Sequence, residues 1–221
     1  MDLTLKQIKD DVTWRYLIIA PTMETIDEWF RALQERIGCE HIIRVSPEFY
    51  AHDPGKVDLG RSTFTGREVP QFMNKMMFIL LHDVGGRIFT TFSNNLVVDH
   101  TSGNTFYIRS KSDPRVFWQE RCGKIYASQW GRTRFRICIN DKKHEHDGKV
   151  MIPSDSISIT LAHDDNAFIG TERGGGLIID QHGLNLTLGD FNKIFVSTYS
   201  DHDNNRIIRH VHGGEEWELV A

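Results

Sequence analysis

The sequence predicts a mainly β protein that carries a small α+β extension at its N-terminus. From Met76 onward, short runs rich in Ile, Val, Phe, Tyr and Thr alternate with Gly, Asp and Asn turns about every ten residues. Helical spacing of apolar residues appears convincingly only once, between residues 21 and 38. We therefore expect a strand, one helix and an irregular connection at 1–70, and an all-β domain, barrel or sandwich, at 71–221.

The N-terminal region is predicted to form one strand followed by one amphipathic helix. The strand is expected at 14–20, and Pro21 and Thr22 mark the start of the helix. Apolar residues of the helix recur at three- and four-residue spacing: Ile26, Trp29, Phe30, Leu33 and Ile37. Gly38 stands just past the last of them, where a glycine commonly ends a helix. Residues 44–70, rich in Pro, Gly, Asp, Ser and Thr, are expected to form the irregular connection.

The segment "RYLIIAPTMETIDEWFRAL" at 15–33 resembles the final strand and helix of a pleckstrin-homology domain, including the helix tryptophan, Trp29. The resemblance is confined to this segment, because too few residues precede it to form the strands that come first in that family. The lipid-binding loops of the family lie in those earlier strands. The resemblance therefore implies no lipid site in this chain.

An internal near-repeat runs through the predicted β domain. Four stretches each contain a strand, a polar turn with an aspartate, a strand, a glycine turn and a further strand. Their turn aspartates are Asp83, Asp113, Asp164 and Asp201. The spacing between these aspartates is irregular, so the repeat is degenerate.

The phrases "NAFIGTERGGGLIID" and "EEWELV" resemble the units of β-trefoils of the fascin and ricin-B-lectin kind. In those folds a glycine-turned hairpin is followed by a strand that ends in aromatic-x-leucine. The resemblance spans 76–221 and lacks the ricin-type Gln-x-Trp triplet. It implies a β-trefoil-like barrel and lectin-like binding through β-turn loops. The chain also resembles leaderless β-rich proteins of mushroom-forming fungi, and many leaderless β lectins form homo-oligomers.

Composition argues against several classes of partner. The net charge is −4 and both signs are well mixed, so a nucleic-acid partner is not expected. The longest apolar run, at 76–81, is far shorter than the ~20 residues of a membrane-spanning helix, and no membrane partner is expected. The N-terminus lacks an apolar leader and the three cysteines form no paired motif. These features favour a reduced, cytoplasmic protein without a cofactor.

Five side chains are candidate carbohydrate contacts: Asp113, Trp118, Trp130, Asp164 and Asn166. An Asp or Asn in a turn can bond paired hydroxyls, while an aromatic face stacks on the C–H surface of a sugar ring. We expect Asp164 to act with Asn166, and Asp113 with Phe117 or Trp118. Trp130, in the turn "SQWGRTRF", is expected to be the exposed tryptophan. The alternative is plain turn chemistry, in which these side chains bond their own backbone.

A row of arginines follows Trp130. Arg132, Arg134 and Arg136 alternate along one predicted strand, so their guanidinium groups share one face. Such a row could take an anion, a sulfated sugar or RNA. An exposed charged strand face is the alternative.

The last hairpin contains a histidine pair whose spacing matches the sequence pattern of a metal site. His210 and His212 share one face of a predicted strand, and Glu216 completes the cupin pattern H-x-H-x3-E. A cupin continues past this motif with further strands, whereas only five residues follow Glu216 here. We therefore expect a closing hairpin with Trp217 in the core, and keep a metal site at His210, His212 and Glu216 as the minority hypothesis.

The sequence thus predicts a non-catalytic binding protein with carbohydrate as its ligand. It contains no Gly-x-Ser-x-Gly motif and no cysteine with an identifiable histidine base. Two alternatives remain: a metal-dependent enzyme that uses the histidine pair, and a protein-interaction or inhibitor module, since trefoils also present loops to proteases. Assembly as a homo-oligomer would add avidity to any of the binding functions.

Overall fold

The described part of the chain consists mainly of β-strands and divides into two units. The computed structural model describes residues 15–37, 41–64, 67–81, 97–140, 148–198, 205–210 and 213–221, with the backbone of 2–7. The units are Met1–Asp99 and His100–Ala221. The predicted mainly β class is confirmed. The division falls later than the boundary expected after residue 70, because the strand at 77–81 pairs within the N-terminal sheet.

The N-terminal unit contains one mixed sheet and two α-helices among its described residues. Its strands are β1 (Asp2–Gln7), β2 (Arg15–Ile19), β3 (Ile42–Ser46), β4 (Phe49–His52) and β5 (Met77–Leu81). Its helices are α1 (Met23–Ile37) and α2 (Leu59–Phe64), followed by a 3-10 turn at Pro70–Phe72. The sheet order is β3-β4-β1-β2-β5, with β1 and β4 parallel and the other neighbours antiparallel.

Helix α1 forms where the apolar spacing predicts it and packs on β4 and β5. Thr22 Oγ1 accepts a hydrogen bond from Thr25 N at 3.3 Å, which satisfies one free donor of the first turn. Trp29 is fully buried, and its ring centroid lies 6.2 Å from that of Tyr50 and 5.6 Å from that of Phe78. Among the described residues of this unit three strands follow α1, whereas the pleckstrin-homology resemblance places the helix last.

The region expected to be an irregular connection, 44–70, is largely structured. It contains the end of β3, all of β4 and helix α2. Thr63 of α2 accepts a hydrogen bond from the indole N–H of Trp29 at 3.2 Å, inside the core. The segment is polar in composition, but tertiary packing against α1 holds it in regular structure.

The C-terminal unit is built from eleven strands and one short helix within its described residues. The strands are β6 (Thr105–Ser110), β7 (Phe117–Arg121), β8 (Lys124–Ser128), β9 (Arg134–Ile139), β10 (Ser156–Leu161), β11 (Asp164–Thr171), β12 (Leu177–Asp180), β13 (Leu186–Thr187), β14 (Phe195–Ser197), β15 (Ile207–Arg209) and β16 (Trp217–Val220). The helix is α3 (Leu188–Phe191). The pairing order β11-β12-β8-β7-β6-β9-β10 returns to β11, so seven strands close a barrel.

The strand pairings follow a repeated pattern along the chain. In the group β6–β9 the first strand pairs with the second and the fourth, and the group β10–β13 does the same. Strand β9 pairs with β10, which joins the two groups edge to edge. The last strand, β16, pairs with the first, β6. The remaining strands, β14 and β15, pair with each other.

The core of this unit is an aromatic cluster centred on Trp118. Its ring centroid lies 6.1 Å from Phe135, 5.7 Å from Phe191, 5.1 Å from Phe195 and 5.7 Å from Trp217. All five side chains are at most 1 % exposed. The expected core position of Trp217 is confirmed. Edge-to-face packing of such large rings supplies much of the apolar burial that stabilises a small β barrel.

Candidate functional site

Trp118, predicted as a ligand contact, is instead the centre of the core. It is 0 % exposed, and its indole N–H has no hydrogen-bond partner among the described residues. The prediction is wrong because Trp118 and Phe117 are neighbours on β7 and point to opposite faces of the strand. Phe117 takes the outer face, since its backbone partner Arg109 is also half-exposed. Trp118 therefore takes no part in a surface site.

Trp130, predicted to be exposed, is the most exposed large apolar side chain of the described residues. It is 85 % exposed in the turn between β8 and β9. The turn is held by Ser128, whose Oγ accepts hydrogen bonds from Trp130 N at 3.1 Å and from Gly131 N at 3.3 Å. A fixed backbone that carries a free indole is a suitable stacking surface for an apolar ring face.

Asp113, in the turn between β6 and β7, is saturated with protein hydrogen bonds. Its Oδ1 accepts from Arg115 N at 3.1 Å and Arg115 Nε at 3.0 Å. Its Oδ2 accepts from Arg115 Nη2 at 3.0 Å and from Gln129 Nε2 at 3.3 Å. A carboxylate offers about four lone-pair sites, and all are in use here. The hydrogen bonds from Arg115 lower the pKa of Asp113, so it stays ionised well into the acidic range.

The bond between Gln129 and Asp113 connects two turns that are separate in sequence. Gln129 precedes Trp130 directly, so Asp113 fixes the residue next to the exposed indole. Gln129 Oε1 and the Nη1 group of Arg115 have no partner among the described residues and lie on exposed side chains. We call Asp113, Arg115, Gln129 and Trp130 the turn surface. It combines an aromatic face with one free acceptor and free N–H donors.

A second group of side chains lies on the outer face of β6, β7 and β9 and on the segment that leads into β9. The Cζ atom of Arg132 lies 4.2 Å from the ring centroid of Tyr107 and 5.6 Å from that of Phe117. The Cζ atom of Arg134 lies 4.8 Å from the Tyr107 ring. Hydrogen bonding and positive charge from Arg134 and Arg132 lower the pKa of Tyr107. We call Tyr107, Phe117, Arg132 and Arg134 the arginine face. The sequence predicts that Arg136 shares this face. Its Nε instead pairs with Asp165 Oδ1 at 3.2 Å, and we do not count Arg136 in the arginine face.

The second predicted pair, Asp164 and Asn166, lies in the first three residues of β11, directly after the turn that follows β10. Both side chains are exposed, and Asp164 Oδ1 accepts a hydrogen bond from Asn166 N at 3.0 Å. This is the bond of an Asx turn, in which the aspartate shapes its own loop. The sequence around the pair contains no tryptophan, so it lacks the exposed indole that Trp130 provides at the other turn.

The described residues bring no metal site together around Glu216. The carboxylate of Glu216 pairs with Lys111 Nζ at 3.5 Å and is 71 % exposed. His210 is exposed, and its backbone N–H donates to Ile194 O at 2.6 Å. His212 lies outside the described residues, as do His144 and His146. Within the described ranges no three His, Cys, Asp or Glu side chains form a cluster that could hold a metal ion.

Two contributors to the candidate site were not anticipated from the sequence. Arg115 follows Asp113 by two residues, a spacing that could have indicated an Asx turn with a paired arginine. Gln129 is adjacent to Trp130, but its bond to Asp113 joins turns that only the folded barrel brings together. The sequence gives no local signal for such a contact.

Comparison of the chain with protein-family models, with curated proteins and with solved structures gave no match. Across the described ranges, no helix combines the length and apolar character needed to cross a bilayer.

Proposed function

We propose that residues 100–221 form a β-trefoil-like domain that binds carbohydrate through the turn surface. The observation that carries the proposal is the 85 % exposure of Trp130 beside a glutamine that Asp113 holds in place. The domain acts by binding and not by catalysis. Its ligand is a glycan with an apolar C–H face and at least one pair of hydroxyl groups.

The repeated strand pairing supports the trefoil. A trefoil barrel joins the first and last strand of each four-strand group, and each group to the next. The pairs β6–β9, β9–β10, β10–β13 and β16–β6 have this arrangement. In the third group the segment that leads into β16 is linked to β14, where Glu215 N donates to Phe195 O at 2.8 Å. Between β13 and β14 no strand pairing is found in the described part of the chain.

Contacts among the three hairpins support the same arrangement. Ile178 of β12 pairs with Lys124 of β8. Isolated bridges join Tyr126 of β8 to Arg206, and Gly176 to Ile208 of β15. Each hairpin thus touches the other two, as the cap of a three-fold barrel requires. Asp113 and Asp164 occupy corresponding turns of the first two groups, and Asp201, in the third, lies outside the described residues.

The chemistry of the turn surface supports carbohydrate as the ligand. Stacking on Trp130 would bury the apolar face of a sugar ring and so recover part of the free energy that exposure of the indole costs. The free Gln129 Oε1 accepts from one hydroxyl, while a free N–H of Arg115 donates to its neighbour. Asp113 is a positioning residue, because its own oxygen atoms are occupied by Arg115 and Gln129.

The test is binding of the purified full chain to a glycan array, followed by titration calorimetry with the best ligand. We expect Trp130→Ala to weaken binding at least tenfold, or ~1.4 kcal/mol. The matched control is Asp164→Ala, which removes an Asx bond at the corresponding place in the second strand group, where the sequence has no tryptophan. We expect this variant to bind glycan as tightly as the unmodified protein does. Absence of any glycan ligand, or equal binding by Trp130→Ala, would rule out the proposal.

A further inference from the structure

We propose that the carbohydrate ligand is anionic and that its sulfate or carboxylate group binds Arg132 and Arg134 of the arginine face. This inference rests on the proposed carbohydrate site and names the class of its ligand. It joins two surfaces: Trp130 takes the sugar ring, and the two arginines take the charged substituent.

The stacking geometry leaves the guanidinium donors available. Arg132 lies over Tyr107 at 4.2 Å and over Phe117 at 5.6 Å, and Arg134 lies over Tyr107 at 4.8 Å. Stacking uses the flat face of a guanidinium and leaves the N–H groups at its edge for an oxyanion. Apart from the residues of this stack, one described side chain accepts a hydrogen bond from these arginines. It is Thr105, whose Oγ1 accepts a weak bond from Arg134 Nη1 at 3.4 Å. The rings therefore orient both guanidinium groups, and the N–H groups that do not bond the Tyr107 hydroxyl or Thr105 have no partner among the described residues.

These two arginines differ from three other arginines of the same strands and turns, each of which pairs with a carboxylate. Arg109 pairs with Glu218 at 2.6 Å, Arg115 with Asp113 at 3.0 Å, and Arg136 with Asp165 at 3.2 Å. For Arg132 and Arg134, no carboxylate of the described residues lies within ion-pair distance. The guanidinium groups of Arg132 and Arg134 both lie over the ring of Tyr107 and repel each other. An anion bound between them would relieve this repulsion and be attracted by both charges.

The positive field at this place has an independent effect on Tyr107. The pKa of its phenol is lowered, first by the hydrogen bond from Arg134 and then by the charges of Arg134 and Arg132. A negative oxygen beside these guanidinium groups is therefore favoured relative to water. The same field would favour a sulfate or carboxylate oxygen that replaces or joins the phenol oxygen.

The two surfaces are close enough for one sugar residue and its substituent. Trp130 and Arg132 are separated by one residue, Gly131, so their Cα atoms are at most about 7 Å apart. A bidentate guanidinium fits the paired oxygen atoms of sulfate and carboxylate, which gives geometric selectivity as well as charge. A nucleic acid would be expected to require a longer basic track, and the chain has a net charge of −4.

The test uses a glycan array that prints N-acetyllactosamine, galactan and dextran, each with and without sulfate, together with polyuridylate RNA. We expect the sulfated form of the bound backbone to bind at least tenfold more tightly than its neutral form, and this excess to shrink as NaCl concentration rises. The double variant Arg132→Gln/Arg134→Gln should lower the affinity for the sulfated form to that of the neutral form. Trp130→Ala should weaken binding of both forms.

Two further variants complete the test. Arg173→Gln removes one exposed arginine from the β11–β12 turn and should leave sulfated-glycan binding unchanged. Arg132→Lys/Arg134→Lys keeps both charges but loses the planar donors, and should reduce the sulfate preference while the thermal unfolding midpoint stays constant. This second variant separates loss of binding from loss of fold.

Each other outcome overturns a stated part. If neutral and sulfated glycans bind equally, and Trp130→Ala weakens both, the proposal of an anionic ligand is wrong and the proposed carbohydrate site stands. If no printed glycan binds, both the proposed carbohydrate site and the proposed anionic ligand are wrong. Tighter binding of polyuridylate with the same dependence on Arg132 and Arg134 would assign the face to nucleic acid. An equal loss in Arg173→Gln would show attraction by general surface charge and no defined site.

Discussion

Gln129 Nε2 donates a hydrogen bond to Asp113 Oδ2 at 3.3 Å, and this bond ties the turn that carries Trp130 to the turn between β6 and β7. We predict that Asp113→Ala weakens glycan binding threefold to tenfold, because Gln129 and Arg115 both lose the carboxylate that orients them. Titration calorimetry measures the effect. Asp165→Ala, which breaks another exposed pair with Arg136, is the control and should have no effect. Unchanged affinity in Asp113→Ala would mean that the turn surface needs no such support.

Acid should leave this connection intact over a wide range. The hydrogen bonds from Arg115 lower the pKa of Asp113 below its ordinary value of 3.8. A group with a depressed folded pKa contributes above its unfolded pKa, and the contribution is lost only as the pH falls through the folded value. Glycan affinity should therefore be constant between pH 7 and about pH 4.5. A loss of affinity centred near pH 4 in the unmodified protein, absent in Asp113→Asn, would contradict this.

Replacement of the two tryptophans predicted as ligand contacts, Trp118 and Trp130, should have very different effects on the free energy of unfolding. Trp118→Ala empties the centre of the aromatic core and should lower the free energy of unfolding by about 3–5 kcal/mol. Trp130→Ala removes an exposed side chain and should change it by less than ~0.5 kcal/mol. Urea denaturation measures both. Trp118→Phe, which keeps an aromatic ring and removes the unpaired indole N–H, should be less destabilising than Trp118→Ala.

Asp27 should make the N-terminal unit less stable as the pH rises. Burial raises the pKa of Asp27 to about 7, and Arg44, whose Nη2 lies 3.3 Å from Asp27 Oδ1, opposes this effect only in part. Between pH 3.8 and pH 7 the folded state then holds a proton that the unfolded state has released, so stability is greatest at low pH and falls as the pH rises through that window. The loss is on the order of 4 kcal/mol at most.

The measurement is urea denaturation of the unmodified chain and of Asp27→Asn at pH 5 and pH 8. The asparagine cannot titrate, so the difference between the two proteins isolates Asp27 from other groups. We expect the unmodified chain to lose more stability than Asp27→Asn on going from pH 5 to pH 8. The opposite order would show that Arg44 keeps Asp27 ionised in the folded state, against both burial and the negative charge of Asp99.

The β7–β8 hairpin contains a strained residue that can be improved. Cys122 has φ 52° and Gly123 has φ 75°, so both central residues of the turn lie in the left-handed region. Asparagine followed by glycine suits such a turn best, and Cys122→Asn should raise the free energy of unfolding by about 0.5–1 kcal/mol. Gly123→Ala is the opposite control: no atom lies within 4 Å of the added Cβ, so its expected loss of ~1 kcal/mol is backbone strain alone.

The strand pattern of the C-terminal unit could be predicted closely, because its strands alternate apolar and polar residues between clear turns. The sequence pattern predicts strands at 105–110, 124–128 and 177–180, and these are the observed bounds of β6, β8 and β12. The alternation of Trp217 and Leu219 along the last strand also predicts that both point inward, and both are buried. By contrast, the same pattern predicts a strand at 149–152, where the structure has no strand and Val150 forms an isolated bridge with Thr101.

The N-terminal unit and the site itself were less predictable for physical reasons. Strand β5 belongs to the first sheet because it pairs with β2, a partner about sixty residues away that local composition cannot reveal. On β7 two aromatic residues, Phe117 and Trp118, are adjacent, so the alternation does not decide which one is buried. The contact between Gln129 and Asp113 depends on two turns meeting in the closed barrel.

The most direct test of the central claim is a two-dimensional ¹H–¹⁵N NMR titration of the full chain with the tightest glycan from the array. Each of the five tryptophans gives one indole N–H signal, and each glutamine gives a side-chain amide pair. We predict that the indole signal of Trp130 and the side-chain amide of Gln129 shift on binding, while the signal of the buried Trp118 does not. Shifts confined to the Asp164–Asn166 turn, or to residues outside the turn surface and the arginine face, would contradict the account.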